Sequence, residues 1–217
     1  TAVRFLGWSF PRQHVTESPL GDCPPASDNT PTVGLLHCDC NAQASRYAPV
    51  SIMDLQGQDA DVWALGHIHA SGLLGSDRPA ILYPGSLQGL DPTEVGPHGA
   101  WLITLETDKP PRLELQPMAA LQWEHLVIPL NGAETDAAVE RAVTDAVRRV
   151  DERINSQAER TQAVGCRIQF TGRTVMHRAL PSISARLVED YRPSFDGVSY
   201  FVESVAIQTQ PDVDLED

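Results

Sequence analysis

Lysine is almost missing from this 217-residue chain: Lys109 is the only one, and Lys and Arg together number 16 against 29 Asp and Glu. The formal charge of −13 is spread along the chain, with 5 basic against 12 acidic residues through position 110 and 11 against 17 beyond it. No basic stripe exists, so the electrostatic footprint of a polyanion binder is lacking, which counts against strong DNA binding by this piece alone. Absent too is any apolar run long enough to span a bilayer, so no membrane association is expected. Only four cysteines occur, Cys23, Cys38, Cys40 and Cys166, scattered and without a secretory signal before them. Reduced thiols and a cytoplasmic location are therefore expected. The chain lacks an initiator methionine, and its first residues, Thr1 to Gly7, read as the inside of a strand, so a fragment of a longer protein is expected.

What is present centres on Asp61-Val62-Trp63-Ala64-Leu65-Gly66-His67-Ile68-His69-Ala70. Val62 to Leu65 has the length and residue types of a buried strand. Gly66 ends it, and glycine lets the backbone turn sharply and approach a ligand closely. His67 and His69 follow at i and i+2, able to face neighbouring positions of one pocket, and neutral imidazole suits Mn, Fe, Zn and similar ions. Thr32 to His37 is a second apolar run ending in a histidine. Ligands of α/β sheets bind beyond the carboxyl ends of strands, so His37, His67 and His69 are the candidate metal ligands. Pro79 to Ser86 is a further strand closing in a tight turn, which brings Gly85 and Ser86, with Gly66, into the candidate substrate-proximal set.

Other candidates weigh less. Cys38 and Cys40 beside His37 suggest zinc, but a structural zinc wants a second pair of ligands at defined spacing, and none is visible. Ser86 lacks the G-x-S-x-G surroundings of a nucleophile and reads as a turn residue near the pocket. His14, His98, His125 and His177 have no local context and default to surface or core. No residue of this chain is singled out as catalytic.

The first half is otherwise strands with short connections: residues 1–10, Ala100 to Glu106, and a stretch with Leu113 and Leu115, with Asp108 to Pro111 joining the last two. Residues 11–32 are a loop rich in Pro, Ser, Asp and Asn, and Ser51 caps a short helix to Leu55. After Pro117 the pattern becomes β-α-β-α-β. A strand runs from Trp123 to Pro129. Thr135 and Asp136 then open a helix whose Val139, Val143, Ala146, Val147, Val150 and Ile154 share one face. A strand from Val164 to Phe170, a helix marked by Ile183, Leu187 and Tyr191, and a strand from Val198 to Ile207 complete it. The acidic tail, Asp212 to Asp217, is expected to fray.

With these residues in place, the chain resembles the later part of a calcineurin-like metallophosphoesterase, and within that superfamily the SbcD/YhaO group of DNA repair exonucleases. The matching pieces are Val33-Gly34-Leu35-Leu36-His37, Tyr47-Ala48-Pro49, Trp63-Ala64-Leu65-Gly66-His67-Ile68-His69 and Tyr83-Pro84-Gly85-Ser86-Leu87-Gln88-Gly89, followed by Glu94 and Gly96. Residues from Trp123-Glu124 through Phe170-Thr171-Gly172 resemble the family's capping domain. The resemblance implies an α/β fold in which residues 1–116 are a partial metallophosphoesterase β-sandwich half and residues 117–217 a small α/β capping domain that governs DNA access.

It also implies two metal ions, Mn²⁺ in the usual case. His37 and His67 would bind one, and His69 the other. Only the last two of the family's five motifs are in this chain; its D-x-H, G-D and N-H-D motifs are not, so the chain alone is expected to be inactive. The function implied is that of a fragment of a metal-dependent DNA repair exonuclease, hydrolysing phosphodiesters. The partners implied are DNA, an SMC-like ATPase subunit and a second copy of the chain. Two rival readings are a non-catalytic cap that docks a partner, and a phosphoesterase for small phosphodiesters, which the acidic charge favours.

Overall fold

The computed structural model describes residues 2–24, 28–40, 44–107, 109–155 and 161–212. The expected fraying of the tail past Asp212, and the role of Asp108 in its connection, lie outside those residues. The fold is α/β, and the chain divides into two compact units: residues 1–87 with 98–116, and residues 88–97 with 117–217.

The first unit holds β1 (Arg4–Trp8), β2 (Thr32–His37), α1 (Ile52–Gln56), β3 (Val62–Gly66), β4 (Gly72–Gly75), β5 (Ala80–Tyr83), β6 (Gly99–Thr104) and β7 (Arg112–Pro117). Five of the strands make one sheet in the order β1-β2-β3-β5-β4, parallel except for β4, and β6 pairs with β7 in a separate two-stranded sheet. Parallel sheets are normally buried on both faces, and β3 and β5 are: Trp63, Leu65, Ile81 and Tyr83 pack on one side with Leu55 of α1, while Val62, Ala80 and Leu82 meet Trp101, Ile103 and Leu113 on the other. Ser51 starts α1 with a capping box, its hydroxyl accepting from the Asp54 amide at 3.0 Å while the Asp54 carboxylate accepts from the Ser51 amide at 3.3 Å. One cross-strand detail fixes the middle of the sheet. Trp63 pairs in register with Gly34, and a Cβ on Gly34 would lie 2.2 Å from the indole ring. Glycine is the residue that leaves the indole its place.

The second unit holds β8 (Leu121–Pro129), α2 (Asp136–Asn155), β9 (Ala163–Thr174), α3 (Leu180–Asp190), β10 (Ser194–Phe195) and β11 (Val198–Pro211). Its sheet runs β10-β11-β9-β8, with β8, β9 and β11 parallel and β10 antiparallel to β11. The Thr135 hydroxyl accepts from the Ala138 amide at 3.2 Å and so caps α2. Val139, Val143, Val147, Val150 and Ile154 are all buried against Val164, Ile168, Phe170 and Tyr200, together with Ile183 and Leu187 of α3. Each such aliphatic burial is worth about 1.5–3 kcal/mol. The tryptophan–glycine pairing recurs: Trp123 stands in register with Gly165, where a Cβ would come 2.1 Å from the ring.

Residues 88–97 complete the edge of this second sheet. The Gln88 side-chain amide donates to the Leu121 carbonyl at 2.5 Å and its oxygen accepts from the Leu121 amide at 3.3 Å, as a paired strand would. The Gly96 amide donates to the Trp123 carbonyl at 2.9 Å, and the Trp123 indole donates to the Gly89 carbonyl at 3.2 Å. Among the described residues no helix is long and apolar enough to cross a membrane.

Candidate metal centre

His37 is the last residue of β2 and His67 the first after β3. Because the two strands are neighbours and parallel, both side chains emerge at the carboxyl edge of the sheet, with ring centroids 5.5 Å apart and planes at 69°. Gly66 makes this possible. It stands opposite His37 in the register, and a Cβ there would lie 2.8 Å from His37 Nδ1. What approaches the Gly66 backbone is a protein side chain: the ring of His37 occupies that space.

His67 itself has φ = 106°, far into the region that favours glycine. A non-glycine residue held there costs on the order of 1–3 kcal/mol, and such outliers gather at functional sites. The ring is held from several sides. Tyr47 packs on it with centroids 4.7 Å apart and planes at 32°, and His67 Nε2 lies 4.0 Å from Asp39 Oδ2. Backbone bonds fix the loop that supplies these partners, Asp39 N to Tyr47 O at 2.8 Å and Ala48 N to Val15 O at 2.8 Å. The rings form a row, with Phe10 edge-on to His37 at 5.7 Å and His14 edge-on to Tyr47 at 6.1 Å. His37 and Tyr47 are exposed and His67 half-buried.

His69 lies two residues further on, exposed. Its carbonyl accepts from the Ser86 amide at 2.9 Å. Gly85, at φ = 76°, passes so close that a Cβ would sit 2.7 Å from that same carbonyl oxygen. Ser86 is thus tied to the His69 turn by its backbone, and its hydroxyl lies 2.9 Å from Nδ1 of His98. His98, which has no local sequence context, is buried inside the first unit. No pattern in the sequence joins it to Ser86, because their contact is made by folding across a 12-residue separation.

The donor types suit a divalent ion of the Mn or Zn kind: imidazoles, with a carboxylate near one of them. Among the described residues, however, no group of three or more His, Cys, Asp or Glu side chains converges tightly enough to hold an ion. What the described residues bring together is the His37–His67 pair with Asp39 beside it. The thiols of Cys38 and Cys40 pack against the core of the first unit. Cys38 is fully buried, its pKa pushed up to about 12 by loss of hydration and by its neighbours Cys40 and Asp39, and burial followed by Asp39 also raises Cys40. The Tyr83 hydroxyl seals this loop, accepting from the Cys40 amide at 2.8 Å and donating to the Cys38 carbonyl at 3.1 Å.

Comparison with known proteins finds two similarities. Residues 123–210 match the family described as metallophosphoesterase YhaO, middle domain. An uncharacterized metallophosphoesterase, YhaO of Bacillus subtilis (strain 168), is 28% identical over 141 residues, which is 64% of this chain. The match spans 34% of that relative's length.

Proposed function

We propose that this chain is the later part of a divalent-metal-dependent phosphoesterase that hydrolyses DNA phosphodiesters as a repair exonuclease, with its second unit acting as the cap that controls access. One observation carries the reading: two imidazoles paired at the ends of adjacent parallel strands, one on a backbone that costs energy to hold. The similarity of the second unit to the middle domain of a metallophosphoesterase supports it.

In this reading His37 and His67 hold one ion and His69 a second, with Mn²⁺ the first choice. When bound, such ions supply an activated water and neutralise charge on the phosphate. The residues of the chain do the rest. Gly66 lets the His37 ring lie against the end of β3, Tyr47 and Asp39 hold His67, and Gly85 and Ser86 bring a second loop against the His69 turn. Imidazole ligands add no negative charge where a phosphodiester must approach, which matters in a chain of net charge −13. DNA, an SMC-like ATPase and a second copy belong to this proposal as partners of the whole protein.

The test is release of nucleotides from a labelled linear duplex with Mn²⁺. The intact protein should cut, while residues 1–217 alone and intact protein carrying His67→Ala should not. Robust cutting by the chain alone removes the expectation that it is inactive by itself, and unchanged cutting by the His67→Ala protein removes the histidine assignment. The charge favours a second reading, a phosphoesterase for small phosphodiesters. Hydrolysis of bis(p-nitrophenyl) phosphate by intact protein that leaves duplex DNA untouched would decide for it.

A further inference from the structure

We propose that His98 is a positioning residue for His69, acting through Ser86. The inference rests on the reading of His69 as a metal ligand. His69 sits in the connection between β3 and β4, outside any regular element. Its carbonyl is tied to the Ser86 amide at 2.9 Å. Ser86 is tied in turn to the interior: its hydroxyl and its carbonyl oxygen lie 2.9 and 3.1 Å from the same ring nitrogen, Nδ1 of His98.

A buried polar ring costs more than an apolar one unless its hydrogen bonds are made. His98, 1% exposed, sits in the first unit where an apolar side chain would bury at lower cost. What the imidazole adds is a directional hold on Ser86. Gly85 adds the second condition. Its left-handed backbone lets the 85–86 turn come against His69 and Ser71, a fit that tolerates no side chain. A turn fitted this closely to the histidine loop transmits its own position to that loop. The order of contacts is therefore His98 to Ser86 to His69, from a buried anchor to an exposed candidate ligand. The Trp101 indole, donating to Ser71 Oγ at 3.0 Å, ties the far end of the same loop.

The experiment uses the whole chain and NMR. Amide exchange of Ser86 reports the bond to His69 directly, and selective broadening of histidine ring resonances by Mn²⁺ reports each candidate ligand separately. His98→Leu and Ser86→Ala should each speed Ser86 amide exchange about tenfold or more and reduce the broadening of His69 while leaving His37 and His67 as in the wild type. His98→Asn, which keeps a polar atom near the Nδ1 position, should restore both; it also covers the case in which His98→Leu fails to fold. A role in general stability alone would instead raise exchange throughout the first unit and alter all three rings together. Unchanged Ser86 exchange in Ser86→Ala and in a folded His98 variant overturns the link. If no histidine of the wild-type chain is broadened, the metal reading fails. If His69 is broadened in the wild type and equally in the variants, the metal reading stands and the positioning role fails.

Discussion

Trp63 lies over the α-carbon of Gly34, its register partner on the neighbouring strand, so closely that a methyl group there would penetrate the ring. The indole is 1% exposed, and among the described residues its Nε1 has no hydrogen-bond partner. Shape alone therefore justifies the placement. Trp123 over Gly165 repeats the solution in the second unit.

Gly34→Ala should cost about 2–3 kcal/mol by overpacking, because the atom met is in the middle of a rigid ring with no flexible end to yield. Urea unfolding of the chain measures it. A loss below about 0.5 kcal/mol would show that the ring shifts freely.

His67→Gly should do two opposite things. Relief of the backbone at φ = 106° should stabilise the chain by about 1 kcal/mol, while the loss of one imidazole should abolish Mn²⁺ broadening of His37. A variant that is less stable than the parent would remove the strain argument.

Tyr47→Ala should loosen the His67 ring and weaken Mn²⁺ binding at the pair several-fold, by about 0.5–1.5 kcal/mol, the usual worth of a ring–ring contact. Tyr47→Phe keeps the ring and should keep the affinity. Equal losses in both variants would assign the effect to the hydroxyl.

The thiols make a prediction for alkaline pH. Burial pushes Cys38 and Cys166 up to about 12, and Tyr83 also to about 12, all above their ordinary values. A group whose folded pKa is raised adds stability in full below its unfolded pKa and loses it as pH climbs toward the folded one. Stability should thus hold to about pH 8.5, then fall by up to about 1.4 kcal/mol per pH unit for each buried thiol. Urea midpoints between pH 7 and 11 test this. A parallel check is labelling by a thiol reagent, in which Cys23 and Cys40, both part-exposed, should react before Cys38 and Cys166.

Much of the fold was legible because it rests on local patterns. The valine stripe from Val139 to Ile154 has helical spacing, and it is buried along its length. Ser51 announced α1, and the apolar runs that end at His37 and Gly66 became the neighbouring strands β2 and β3. What escaped depends on contacts distant in sequence. β4, Gly-Leu-Leu-Gly, is short and bounded by glycine, and only its antiparallel partner β5 makes it a strand. β10 has two residues and exists through β11 alone. At the site, the strand-end histidines could be read, but the ring of Tyr47 on His67 and the anchor at His98 could not. Both arrive on loops whose course is set by backbone hydrogen bonds to other segments. That Gly66 serves His37 needed the register, which no single strand contains.

Residues 88–97 lie in the sequence of the first unit and complete the edge of the second. The two units are therefore interleaved along the chain, and no single cleavage yields both whole. A cut at Pro117 would strip Trp123 of the Gly89 carbonyl its indole donates to, and β8 of the Gln88 amide at Leu121. In heredity the same arrangement acts as a lock. A recombination that exchanged everything from residue 117 onward would leave ten residues of the old second unit behind, inside a foreign neighbour. Residues 88–97 and the stretch beyond 117 have to fit each other although that junction separates them in the gene.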